Sequence, residues 1–140
     1  MRLIAACIAI FIAMPAATMA LAAEPPACTD KKILSTVRAQ YQFAEGSRPD
    51  ADALADLANI REVSLGAPPA AANQYATATT FIALSRFCEA SAALKSGNAD
   101  PIYWHIDQAR DGASDYIRTD HCSKRHDVFA DGCKGFRPGG

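Results

Sequence analysis

Along the chain the pattern of apolar and polar positions changes period three times. Residues 3–12 are an almost unbroken apolar run behind Arg2. Ile33, Leu34, Val37, Tyr41 and Ala44 then recur at three- and four-residue spacings, with Lys31, Lys32, Arg38 and Gln42 pointing away. That spacing predicts a one-faced helix over 30–44, capped by Thr29 or Asp30 and ended by Glu45-Gly46. After Ser47-Arg48-Pro49, Asp50 reads as the cap of a short Ala-rich helix through Ala58, with Asp52 and Asp56 one turn apart on its wet face. From Asn59 the pattern turns short and β-branched, so 60–65 reads as a strand stopped by Gly66. Residues 67–73 follow as a connector made rigid by Pro68-Pro69, which has no backbone donor for a ladder.

The second half alternates with a period of two and predicts a meander of three strands, 80–94, 102–109 and 114–121, with turns at 95–100 and 110–112. Ile82, Leu84, Cys88, Ala90, Ala92, Leu94, Ile102, Trp104, Ile106 and Ile117 share one parity and are expected to face inward. Ser85, Phe87, Glu89, Ser91, Tyr103, His105, Asp107, Tyr116, Arg118 and Asp120 share the other, expected to be largely wet. Arg86 breaks the inward parity, which predicts a bulge there or a buried stretch beginning only at Phe87. The whole is an α+β arrangement, an N-terminal helix packed on a curved four-stranded antiparallel sheet.

The first run changes the chemistry expected of the rest. Arg2, an apolar stretch too short to span a bilayer, and the small-x-small pattern Ala20-Leu21-Ala22 read as a signal peptide over 1–22, cleaved near Ala22. Ile4-Ala5-Ala6-Cys7 has the form of a lipoprotein site. Six residues before Cys7 leave no room for a charged start and a full apolar run, so Cys7 reads as a small hydrophobe of the signal. Removing 22 of 140 residues leaves 118, one domain over 23–140 with 13 basic and 15 acidic residues and a formal charge of −2. Such a balance argues against a nucleic-acid partner, and nothing after the signal is apolar enough to span a membrane. The expected location is periplasmic or secreted.

Four cysteines remain, Cys28, Cys88, Cys122 and Cys133, an even number in an exported chain and without the C-x-x-C pairs of a metal site. Three pairings are open. The expected registers set Cys88 opposite position 108, and Cys122 opposite position 103 on the other face, on the order of 15 Å apart where a bridge allows about 7 Å. Cys88 to Cys122 is thereby disfavoured. The expected set is Cys28 to Cys88, tying the helix start to the sheet, and Cys122 to Cys133, closing a short loop.

Two constellations remain as candidates. His105, Asp120 and His126 offer nitrogen and carboxylate ligands, and would form a small metal-binding or hydrolytic site if the 122–133 loop folds back. The opposite parity of His121 and scattered placement of the histidines favour ordinary polar roles, and no cofactor is expected. Asp107, Asp111, Gly112 and Asp115 have calcium-loop spacing, but Ala109 and Arg118 stand where ligands are required, so that segment reads as a hairpin turn. Nucleophile elbows, phosphate loops and haem motifs are missing from the sequence, so an enzyme is not expected. Phe87, Tyr103 and Tyr116 with Arg118 form the preferred candidate, an aromatic binding face for a protein or small ligand of the cell envelope.

Asn73-Gln74-Tyr75-Ala76, Ser85-Arg86-Phe87-Cys88-Glu89-Ala90, Ile102-Tyr103-Trp104 and Asp131-Gly132-Cys133 together resemble a group of small, uncharacterised exported proteobacterial proteins. The resemblance implies export and transfers no catalytic residue. The order of helix and antiparallel strands is similar to cystatin-like and NTF2-like arrangements, which implies fold and not activity.

Overall fold

A computed structural model describes residues 23–68, 80–112, 114–127 and 132–138. The signal-peptide reading of 1–22, most of the 67–73 connector, Asn73-Gln74-Tyr75-Ala76 and Asp131 lie outside the described residues.

One helix and a four-stranded antiparallel sheet make the fold: α1 (Lys31–Gly46), β1 (Leu54–Gly66), β2 (Thr80–Leu94), β3 (Ala99–Asp111) and β4 (Ser114–Ser123), in the sheet order β1-β2-β3-β4. Asp30 caps α1, its Oδ1 accepting from the backbone N–H of Lys32 at 2.9 Å and Ile33 at 3.1 Å. The helix buries Ile33, Val37, Tyr41 and Glu45, one residue per turn, so an acidic residue occupies the core stripe where Ala44 was expected. Beneath it lie Leu54, Leu57, Cys88, Ala92, Leu94, Ile102, Trp104 and Ile106. Trp104 is the largest fully buried side chain.

The disulfides are Cys28–Cys88 and Cys122–Cys133, with Cα separations of 5.8 and 5.7 Å. The register behind that expectation needs correction. Gly97, at φ +89°, tightens the β2–β3 turn, β3 starts at Ala99, and Cys88 therefore faces Trp104 rather than position 108. The slip is four residues, an even number, so Cys88 keeps the face expected of it. Cys122 faces Tyr103 as expected. Cys88 and Cys122 remain two strand spacings apart, roughly 10 Å, on opposite faces of the sheet.

The expected helix over 50–58 does not form. Residues 51–53 are irregular and β1 begins at Leu54, pairing with β2. Register shifts at Leu54/Asp56 and Ala58/Arg61 explain the misleading pattern. A bulge adds a residue, so Leu54, Leu57 and Ile60 reach the same face at three-residue spacing, which in sequence looks helical. Asn59 accommodates one shift at φ +55°, a left-handed conformation that asparagine tolerates better than most side chains.

Arg86 stays in register with Ile106. The irregularity in β2 falls instead between Ile82 and Leu84, which sets Ile82 opposite Ala109 and Leu84 opposite Gln108, on different faces. The Arg86 guanidinium is neutralised in place by Glu62 and by Glu24 at 3.2 Å, and donates to the Pro25 carbonyl. Ile117 has the inward parity but is exposed, lying near the far end of β4.

The face expected to be wet is largely covered. Ser85, Phe87, His105 and Asp107 are buried, and only its outer members, such as Tyr116 and Arg118, are exposed. The C-terminal strap does part of the covering: Cys133 is bound to Cys122, the Phe136 ring lies 5.1 Å from that of His105, and the Arg137 guanidinium stands 4.2 Å above Tyr103. Asp127 braces the strap by accepting from the N–H groups of Gly132 and Cys133 at 2.7 and 3.2 Å.

Candidate functional site

Three polar or open regions follow from this packing, and the sequence candidates distribute among them. Under the strap, Asp107 Oδ1 accepts from Ser85 Oγ at 2.6 Å and faces His105 Nδ1 at 2.9 Å. Serine and histidine both point at the carboxylate, so serine does not meet imidazole and no nucleophilic relay forms. Asp107 is fully buried, and its Oδ2 has no hydrogen-bond partner among the described residues.

The preferred aromatic set is not brought together. Phe87 is 3% exposed, Tyr103 is capped by Arg137, and Arg118 is paired with Asp120 at 2.6 Å. Tyr116 is 42% exposed but faces Ala109, six residues along β3 from Tyr103, a separation of roughly 20 Å. Nor does the proposed ligand set converge. His105 and Asp120 are register partners on the strap face, whereas His126 lies beyond β4 against Tyr41 on the helix face, ring centroids 4.6 Å apart. Cys122, Asp127 and Cys133 do cluster, but both sulfurs are consumed in the disulfide.

At the C-terminal end of α1, Glu45 forms a hub. It accepts from Arg125 Nε at 2.7 Å, faces His126 Nε2 at 3.0 Å and takes the Asp52 N–H at 2.7 Å, joining the helix, the approach to β1 and the turn after β4. The Arg125 guanidinium, helped by the Asp52 N–H and His126, holds its carboxyl down at about 2 against the opposing effect of burial. Tyr41 donates to Asp100 at 3.1 Å, and burial together with that carboxylate raises its hydroxyl well above the usual range. The Glu45 carboxylate is saturated by partners of its own chain, whereas His126 Nδ1 has none among the described residues.

The third region is open. A cavity of 470 Å³ between α1 and the edge strand β4 is lined by Ala39, Gln40, Phe43, Ala44, Asp120 and His121. Phe43 stands at its rim 82% exposed. Gln40 Nε2 donates to the Thr119 carbonyl at 2.8 Å, while Gln40 Oε1 and His121 Nε2 are buried without a partner among the described residues. Burial, and next the nearby His126, lowers His121 to about 4, so it is neutral at neutral pH.

Sequence reading passed over Glu45, Gln40 and Phe43. The signals were present: Glu45 lies four residues after Tyr41 on the core stripe, and a phenylalanine beside that stripe has no reason to face water. No helix among the described residues is long and apolar enough to cross a membrane. No protein-family model, no curated protein and no solved structure matches this chain, whose function must be read from its own residues.

Proposed function

We propose that this protein is an exported, non-enzymatic binding module of the cell envelope, and that its binding surface is the groove between α1 and β4. The observation that carries the reading is Phe43, a large aromatic left 82% exposed at the lip of an apolar-walled cavity. Exposed aromatics beside a concave apolar wall are what binding surfaces use as anchors. The buried groups His105, Asp107 and Glu45 and the half-buried His126 engage one another or neighbouring side chains, which suits a scaffold rather than a reaction centre. Export is supported by the signal-like N-terminus and by two disulfides, bonds that persist in oxidising compartments.

Titration with 8-anilinonaphthalene sulfonate, followed by amide chemical shifts, tests the groove. Shifts confined to Ala39, Phe43, Ala44 and His121, and lost in Ala39→Trp, are expected. No binding, or shifts elsewhere, would overturn the assignment. N-terminal sequencing of the protein from the periplasmic fraction tests export, with a start near Ala23 expected.

A further inference from the structure

The two edges of the sheet differ. β1 carries three register shifts, which twist and interrupt its outer edge, whereas the β3–β4 pairing runs from Asp111↔Ser114 to Ile102↔Ser123 without one. Bulged edges resist strand pairing and regular edges invite it. Asp111 and Ser114 close a two-residue hairpin, so they form a hydrogen-bonded pair and the pattern alternates from there. Ile117, Thr119 and His121 consequently direct their N–H and C=O groups away from β3, whereas Tyr116, Arg118 and Asp120 direct theirs toward it. The bond from Gln40 to the Thr119 carbonyl agrees with this phase. That side chain occupies the place where an added strand would donate.

We propose that the β4 edge takes up an extended peptide segment of another protein as a fifth strand, with one apolar side chain of the segment seated in the α1–β4 groove. This rests on the groove being the binding surface. The outward groups of Ile117, Thr119 and His121 supply the ladder, and Ala39, Ala44 and Phe43 supply the apolar wall beside it. Gln40 is a stand-in that the incoming N–H replaces, releasing an amide whose Oε1 is unpartnered among the described residues in the unliganded arrangement. Charges on β4 are balanced, Arg118 pairing with Asp120 and Asp115 with Arg110 of β3, which favours a segment alternating apolar and neutral polar residues over a charged one.

Capped peptides alternating leucine and threonine, with a lysine at each end, would be titrated into the intact oxidised protein while amide hydrogen exchange is followed. Slowing of at least about tenfold at Ile117, Thr119 and His121, with Arg118 and Asp120 already protected and unchanged, is expected. N-methylation of alternate peptide nitrogens abolishes the effect. Ile117→Pro removes one outward N–H and leaves the β3 ladder intact, so it weakens binding about tenfold with Trp104 fluorescence unchanged. Equal binding of the N-methylated peptide, or protection without alternation, would overturn strand addition. A concentration-dependent dimer that Ile117→Pro dissolves, with no peptide bound, would give the edge to a second copy and overturn it too. If the naphthalene probe fills the groove and the peptide does not bind, the peptide proposal falls and the binding-module reading stands; if neither binds, both fall.

Discussion

The two faces of the sheet are closed in different ways. On one, a sixteen-residue helix lays Ile33, Val37 and Tyr41 over Trp104, Ile102 and Ile106, and the core is almost wholly apolar. On the other, residues 132–138 help cover Phe87 together with Ser85, His105 and Asp107. A long amphipathic helix excludes water by area alone, whereas a short strap has too few apolar side chains for that. The strap face is therefore closed by a covalent bond, a carboxylate brace at Asp127 and a buried polar cluster in which Ser85 and His105 both meet Asp107 Oδ1. Area is a diffuse source of stability and tolerates small losses; a strap depends on a few specific contacts.

That contrast can be broken most severely at Trp104. Trp104→Ala removes the centre of the helix-face core and should cost about 3–5 kcal/mol, read as the shift in urea midpoint of the oxidised protein. A loss below about 1 kcal/mol would mean that the helix face does not rest on this side chain.

Cutting the strap with the double change Cys122→Ser and Cys133→Ser should cost about 3 kcal/mol, the value expected for an eleven-residue separation. Exchange should accelerate locally at residues 85–87 and 103–107, while the helix-face amides follow global unfolding. Uniform acceleration over both faces would show that the two are not separate units.

Asp107→Asn, which takes the charge from the bonds to Ser85 and His105, should cost about 2 kcal/mol with the helix face undisturbed. A stabilised variant would show that the buried carboxylate is a liability kept for another purpose.

The fourth test concerns acid. His121 is held near 4 in the fold, while a free histidine titrates near 6.5. The unfolded chain therefore takes up the proton first, so stability falls as pH drops from about 6.5 to about 4, by on the order of 2 kcal/mol. Glu45, held near 2, adds a further loss as pH falls from about 4.5 through 2. His121→Asn should flatten the first limb of a plot of urea midpoint against pH and leave the second.

Smallest is the helix cap. Asp30→Ala should cost about 1 kcal/mol in thermal unfolding, because two N–H groups of the first turn lose their acceptor.

Much of this was legible in the chain, and the exceptions have physical causes. The stripe at 33, 37 and 41 and the alternation from 84 to 121 report backbone period, which is local, and both appear in the fold. The disulfides followed because parity survives an error of register by an even number of residues. The segment at 54–60 misled because bulges convert a strand into a three-residue pattern, and nothing in its own residues says that β2 lies beside it. The wet face misled because alternation shows that two faces exist and not what covers each. Of the groove lining, Ala44, Asp120 and His121 were named in sequence but not brought together, since a groove is made by how a helix leans on an edge and not by either element alone.

By itself, then, the sequence determined the export-like start, the class of fold, the sides on which the cysteines stand and the face that takes the helix, all of them consequences of local period and composition. The tertiary structure decided the bulges of β1, the burial of Asp107 beneath the strap, the hub at Glu45 and the regular edge of β4 beside Phe43. These depend on which distant segments meet, and a side chain's solvent and partners are set by that meeting and not by its neighbours in the chain.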